Sequence, residues 1–209
     1  MTVKKVFEDE HIVVIIKPQG VNSEAGSGNN VPDLLNKERK PLVVHRLDKE
    51  VSGLMVLAKN QAAAAGLSAQ IQNGEFKKEY LAVVEGEVEE QGSLSDLLFH
   101  DRQKNKTFVV KKERKGVKAA ELEFTRLDSF EFQGEVLSKV RIKLHTGRTH
   151  QIRVQFGSRR HPVFGDRKYG SKFKGEFALF SCHLSFKHPK TGERIAFDAE
   201  PLDVIPWNL

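Results

Sequence analysis

An acidic residue, Asp48, lies where a side chain could carry out chemistry on a substrate. It belongs to the stretch HRLDKEVSG, which runs from His45 to Gly53 and has the apolar runs LVV before it and LMVL after it. This pattern predicts a loop between two buried strands. The cationic neighbours Arg46 and Lys49 favour the ionised form of the Asp48 carboxylate, which could then serve as a nucleophile or a base. The same residue could instead do no more than cap a turn, with Ser52-Gly53 completing it.

Two later stretches supply a tyrosine and an arginine that such chemistry could use. The first reads KKEYLAVVEG from Lys77 to Gly86, and the second reads TGRTHQIRVQFGSRRHPVFGDRKYG from Thr146 to Gly170. With the Asp48 stretch, and in this order, they resemble the RluA-type family of RNA pseudouridine synthases. That family's pattern is similar to HRLD-x-x-[TS]-S-G, K-x-Y, TGR-x-HQIR-x-H and HP-x-x-GD-x-x-YG. The resemblance extends from DEHIVVIIKPQG near the start to HPKTGE near the end, so it covers nearly the whole chain.

The resemblance implies a function and assigns roles to four residues. The reaction would convert a uridine of RNA to pseudouridine, which needs a carboxylate and a uracil pocket but no metal or redox cofactor. Asp48 aligns with the essential aspartate, which either attacks the sugar or acts first as a base. Tyr80 aligns with the active-site tyrosine, whose ring stacks on the uracil and whose hydroxyl reaches a ring proton. Arg148 aligns with the basic residue that pairs with the aspartate, and Arg46 aligns with the arginine that helps to expel the target base from folded RNA.

Each of these residues also has a simpler interpretation. Without the resemblance, Tyr80 would be a half-buried aromatic residue of a strand. Arg46 would be a surface arginine that contacts phosphate, and Arg148 would be a phosphate contact or a surface arginine.

The most basic part of the chain runs from Asp101 to Lys118. It carries eight basic residues against two acids, and the basic residues are Arg102, Lys104, Lys106, Lys111, Lys112, Arg114, Lys115 and Lys118. Such a run is often only a solvated face. It could equally be a hairpin that grips RNA phosphates, in which case the candidate contacts are Lys111, Lys112, Arg114 and Lys115.

Strand patterns dominate the elements that must position these residues. The clearest helical segment is 61–71, for which Asn60 is a suitable N-cap. Neighbouring strand runs without regular strand–helix alternation predict an α+β fold with a mainly antiparallel sheet. The resemblance implies a long mixed sheet with a central catalytic cleft and a few short helices. A chain of 209 residues suits one domain or a domain of two lobes, and we predict one catalytic domain over residues 1–209.

Composition favours a polyanionic partner, and the resemblance implies that this partner is RNA. The formal net charge of +6 and the isoelectric point near 9.3 suit a polyanionic ligand. The single cysteine, Cys182, excludes an intramolecular disulfide, and the eight histidines show no metal-binding spacing. We therefore expect no metal, and the reaction that the resemblance implies leads us to expect no cofactor. The N-terminus has neither a signal-peptide pattern nor an apolar run that could span a membrane, so we expect a cytoplasmic protein without membrane contact. The resemblance implies rRNA or tRNA as the partner, and we expect a monomer.

Two other functions are compatible with parts of this pattern. A non-catalytic RNA-binding module, for example in ribosome assembly, would use the basic residues but would not need Asp48, Tyr80 and Arg148. A glycoside hydrolase with a carboxylate nucleophile would need a second, paired carboxylate, for which Glu50 and Asp166 are the nearest candidates. Mass spectrometry separates the enzymes, because isomerisation leaves the RNA mass unchanged and hydrolysis leaves an abasic site.

Overall fold

The computed structural model describes residues 3–26 and 28–209. The helices and strands in this part of the chain are β1 (Lys4–Glu8), β2 (Ile12–Lys17), α1 (Val31–Leu35), β3 (Leu42–Val43), β4 (Ser52–Ala58), α2 (Gln61–Gln72), β5 (Lys77–Glu85), β6 (Gln91–Asp101), β7 (Lys106–Val110), β8 (Val117–Phe132), β9 (Glu135–Leu144), α3 (Gln151–Gly157), β10 (Leu179–Lys187) and β11 (Arg194–Asp198).

The chain divides into two compact units. The first comprises Met1–Glu79 and Phe180–Pro201, and the second comprises Tyr80–Leu179 and Leu202–Leu209. A single catalytic domain over residues 1–209 stays a prediction. Residues 1, 2 and 27 of that range lie outside the described residues.

The first unit is built on a mixed sheet in the order β1-β2-β4-β10, with β3 also paired to β4 and β11 to β10. β4 and β10 run parallel, and the other pairs are antiparallel. Strands β2 and β4 read IVVIIK and SGLMVLA and are almost wholly buried, as expected for continuous apolar runs in a covered sheet. Helix α2 packs on one face through Ala63 and Leu67, which join a core with Leu54 and Phe186.

Helix α2 begins where the sequence predicts. The side-chain oxygen of Asn60 accepts a hydrogen bond from Ala63 N at 2.9 Å, which satisfies one of the free N–H groups of the first turn. At 12 residues, α2 is the longest helix among those described. None of the helices in the described part of the chain combines the length and apolar character needed to cross a membrane.

The second unit carries a sheet in the order β5-β9-β8-β6-β7, in which β8 pairs antiparallel with β9 and β6 pairs antiparallel with both β7 and β8. β8 and β9 are joined by the two-residue loop Gln133-Gly134, both at positive φ, a geometry that matches the twist of paired strands. Helix α3 packs on this sheet through Val154, which contacts Leu98 and Ala120. The predicted α+β fold with a mainly antiparallel sheet is therefore confirmed.

Candidate active site

Asp48 lies in the loop that the sequence predicts, between β3 and β4 of the first unit. Strand β4 is buried as predicted, whereas β3 keeps only Leu42–Val43 and is half-buried. The backbone carbonyl of Asp48 accepts a hydrogen bond from Val51 N at 3.0 Å, which closes a turn. A backbone hydrogen bond thus closes this turn, and the Asp48 side chain is half-buried.

A buried lysine fixes the backbone beside Asp48. The side chain of Lys17 has no exposed surface, and its Nζ donates to three backbone carbonyls, among them that of Lys49 at 3.2 Å. Burial lowers the pKa of Lys17 to about 8, while the negative charges of Asp48 and Glu50 oppose this shift. The spacing of the motifs does not point to Lys17. In the sequence, Lys17 is a charged residue at the end of the buried run IVVII, and it lies in the stretch DEHIVVIIKPQG that the family resemblance includes.

The residue before Asp48 is held as firmly as the residue after it. Ser23 Oγ donates to the carbonyl of Leu47 at 2.6 Å and accepts from Leu47 N at 3.0 Å. On the other side, Gly20 N donates to the carbonyl of Lys49 at 2.8 Å. The segment that follows β2 therefore fixes the backbone on both sides of Asp48, which is the support that a reactive carboxylate needs.

Gly53 permits a close approach of two strands at the start of β4. Its φ is +115°, and it lies opposite Ser181 in the parallel pair of β4 and β10. A Cβ at this position would overlap the backbone of Ser181, so the site requires glycine. Gly53 therefore belongs to the scaffold of the loop.

His45 is a second buried polar residue of this loop. Its Nε2 accepts a hydrogen bond from Val56 N at 3.1 Å, so the neutral ring carries its proton on Nδ1. Burial lowers the pKa of His45 to about 3, and the positive charge of Lys78 adds to this shift. His45 is thus a neutral structural group near pH 7 and does not gain or lose a proton there.

Replacing His45 by glutamine is expected to make the fold less sensitive to acid. Below the ordinary histidine pKa of 6.5, the unfolded chain binds a proton that the folded chain does not bind until about pH 3. The free energy of unfolding therefore falls as the pH decreases through this window, by about 1.4 kcal/mol per unit, or roughly 2 kcal/mol by pH 5. Glutamine Oε1 can accept from Val56 N without titrating. Urea unfolding at both pH values measures this. Between about pH 7 and pH 5, the free energy of unfolding should fall less for His45→Gln than for the wild type, and equal decreases in the two proteins would contradict the prediction.

Tyr80 and Arg148 lie in the second unit. Tyr80 is in β5 and is only 6% exposed, so it is buried where the strand pattern predicts a half-buried ring. Arg148 is half-buried in the turn before α3, and its Nε donates to the carbonyl of Ala119 at 2.9 Å. Asp48 and Arg46 lie in the first unit, and the pairing of Arg148 with Asp48 stays a prediction.

Gln151 builds the turn that holds Arg148. Its Oε1 accepts from Arg148 N at 3.0 Å and from Thr146 Oγ1 at 2.8 Å, and its Nε2 donates to the carbonyl of Glu121 at 3.1 Å. One buried side-chain amide thus ties the TGR turn to β8.

A buried ion pair joins α3 to a later loop, and sequence patterns do not reveal it. Arg153 and Asp166 are 3% and 1% exposed, and Arg153 donates from Nε and Nη2 to the two carboxylate oxygens at 2.7 and 2.9 Å. The guanidinium also lies over the rings of Tyr169 and Phe177, at 5.2 and 5.0 Å. Because Arg153 engages both oxygens of Asp166, this carboxylate is poorly suited to be the second catalytic acid of a glycoside hydrolase.

The four basic candidates for RNA binding share one exposed segment. Lys111, Lys112, Arg114 and Lys115 all lie within residues 111–116, which connect β7 to β8. Because β6 lies between these two strands, the segment is a crossing connection, and the hairpin of this region is β6–β7. The fifth candidate, Arg46, is exposed and pairs with Glu24 at 2.8 Å.

Known proteins are similar to this chain in sequence and in fold. The sequence pattern of the family described as RNA pseudouridylate synthase matches residues 11–158. An uncharacterized RNA pseudouridine synthase from Aquifex aeolicus is 35% identical over 93% of this chain and 68% of its own length. The ribosomal large subunit pseudouridine synthase D of Pseudomonas aeruginosa is 34% identical over 98% of this chain and 70% of its own. In fold, human RNA pseudouridylate synthase domain containing 1 is similar with a TM-score of 0.80 at 23% identity, covering 98% of this chain and 85% of that one.

Proposed function

We propose a specific reaction for this chain, which belongs to the RNA pseudouridine synthase family as an RluA-type isomerase acting on RNA. It converts a specific uridine of structured rRNA or tRNA to pseudouridine, with Asp48 as its catalytic carboxylate. One observation carries the assignment of Asp48 as the catalytic carboxylate. The backbone of its loop is held on both sides of Asp48 by the side chains of Lys17 and Ser23. A pure RNA-binding module has no evident reason to bury an ammonium group, at the cost of its hydration, to fix one loop.

The proposed roles follow from the reaction. Uracil must leave the ribose, rotate and rejoin through a ring carbon, so the enzyme must hold the freed base and exclude water. Asp48 attacks the sugar or acts as a base there, Tyr80 stacks on the uracil, and Arg148 stabilises the carboxylate. Arg46 takes the place of the expelled base. Its exposed ion pair with Glu24 is worth only about 0–1 kcal/mol, so the guanidinium can leave it for RNA.

The proposal also covers the RNA substrate, the cellular location and the oligomeric state. The name of the relatives, ribosomal large subunit pseudouridine synthase, supports rRNA as the first substrate to test. We propose that the protein works without metal or cofactor, because base isomerisation needs neither a Lewis acid nor an electron carrier. We also propose that it works in the cytoplasm as a monomer.

Pseudouridine maps of cellular RNA with and without the protein test this function. We expect specific pseudouridine sites to disappear without the protein and to return with it, at unchanged RNA mass. An unchanged map, or abasic sites in the product, would contradict the isomerase.

The role of Arg46 is tested with a purified stem–loop that spans such a site and with its unpaired analogue. Arg46→Ala should lose more turnover on the stem–loop than on the unpaired analogue, because flipping a stacked base costs a few kcal/mol.

Neutralising the basic segment 111–116 is expected to reduce the salt dependence of RNA binding. Each phosphate contact releases counterions, so replacing Lys111, Lys112, Arg114 and Lys115 by glutamine should flatten the slope of log affinity against log salt by roughly 3. Fluorescence anisotropy between about 50 and 200 mM salt measures the slope. A control variant replaces the exposed residues Lys4, Lys37, Lys174 and Lys190. If both variants change the slope equally, or neither does, the segment is only a solvated face.

A further inference from the structure

The two sides of the sheet formed by β6, β7 and β8 differ in character. On one side Leu98, Thr107 and Ala120 are buried, and Leu98 and Ala120 pack under α3. The alternate residues project to the other side, because Phe99 is paired with Phe108 on β7 and with Val117 on β8. The residues on this second side are half-buried or exposed. We call them the aromatic face, which consists of Leu97, Phe99, Phe108, Val110 and Val117.

Cationic groups lie next to both rings of the aromatic face. The guanidinium carbon of Arg114 is 4.6 Å from the centroid of Phe99, and Lys106 Nζ is 5.8 Å from that of Phe108. Arg114 is nevertheless exposed, and Phe108 is 37% exposed. A planar guanidinium over one ring, beside a second accessible ring, offers two flat groups of the kind on which nucleobases stack.

The charge around the aromatic face indicates the kind of partner. Segment 111–116 carries four basic residues against Glu113, and the turn of the β6–β7 hairpin adds Arg102 and Lys104. This excess of positive charge favours a polyanion over a protein surface. A duplex would present phosphates but would keep its base planes stacked, whereas an unpaired strand presents both phosphates and free bases.

We propose that the aromatic face binds unpaired nucleotides of the RNA substrate, by stacking bases on the Phe108 ring and on the Arg114 guanidinium. This inference rests on the proposed function and adds to it the form of RNA that is recognised away from the target uridine. Sequence preference is expected to be weak, because every base has a flat face.

Tryptophan fluorescence tests the stacking directly. Phe108→Trp places an indole on the aromatic face, and Phe7→Trp places one on β1, where Phe7 is also 37% exposed. The one native tryptophan, Trp207, is buried and present in both variants. An unpaired oligoadenylate of about 12 nucleotides should quench the emission of Phe108→Trp but not that of Phe7→Trp, and a duplex of equal length should quench it much less. Equal quenching of the two variants, or by the two RNAs, would overturn the proposal.

Affinity provides the second measurement. Phe108→Ser should weaken binding of the unpaired oligonucleotide about tenfold and leave the salt slope unchanged, because stacking releases no counterions. Phe108→Tyr keeps the ring and the cross-strand pair, so it should bind like the wild type. If Phe108→Ser also binds like the wild type, the proposal fails.

Isomerisation by the same preparations separates this proposal from the proposed function. Normal isomerisation without any effect of Phe108 on binding overturns the stacking alone. Absent isomerisation by a wild-type protein whose stacking is intact contradicts the proposed function alone.

Discussion

Asp48→Asn is expected to abolish pseudouridine formation, leaving less than a few per cent of wild-type turnover, while RNA affinity stays within about tenfold. The amide has nearly the shape of the carboxylate but is neither a nucleophile nor a base at neutral pH. The loop should keep its conformation, because the bonds that hold it go to the backbone of Leu47 and Lys49. A lost contact of about 1.4 kcal/mol would change affinity only tenfold, whereas a lost catalytic group stops the chemical step.

Single-turnover conversion of a stem–loop substrate, together with anisotropy for binding, measures both quantities. Glu50→Gln is the matched control, since it removes the same charge from an exposed carboxylate two positions further along the same loop. It should retain most of the wild-type turnover. Clear residual turnover in Asp48→Asn, or equal inactivity of Glu50→Gln, would refute the assignment of Asp48 as the catalytic carboxylate.

Arg153→Met is expected to lower the free energy of unfolding by about 3–5 kcal/mol. The substitution leaves the carboxylate of Asp166 at 1% exposure without the two charge-assisted hydrogen bonds that it accepts from Arg153. The same change also removes the guanidinium from the rings of Tyr169 and Phe177. Because an uncompensated buried charge is costly, the loss should exceed that of any surface ion pair in this chain.

Urea unfolding of Arg153→Met and Arg46→Met makes the comparison. The second variant breaks the exposed pair with Glu24, and its cost should be about 0–1 kcal/mol. A double variant, Arg153→Met with Asp166→Leu, should regain part of the lost stability, because no buried charge is then left unpaired. Equal small losses in the two arginine variants would show that the buried pair contributes little.

The catalytic residues of the proposed mechanism come from sequence motifs, but their support does not. The HRLD stretch places Asp48 on a loop before β4, and the loop is present. Lys17, which holds the backbone beside Asp48, stands in KPQG, where proline and glycine indicate only a turn. The basic run Asp101–Lys118 is compatible with a hairpin, and it contains the turn and the second strand of the β6–β7 hairpin. The course of segment 111–116 as a connection across β6 depends on the order of strands in the sheet.

Local patterns were sufficient wherever the determining interactions lie within a few residues. The apolar runs of β2 and β4 and the Asn60 cap of α2 are such features, and they indicated the fold class. The reaction was indicated by the resemblance of the ordered motifs to one family. The tertiary structure alone decided which polar groups are buried and with which partner, as for Lys17 with Lys49 and Arg153 with Asp166. It also decided that Phe99 and Phe108 lie side by side on one side of the sheet. These pairings depend on strand order and register, which contacts between distant parts of the chain determine and no short stretch of sequence encodes.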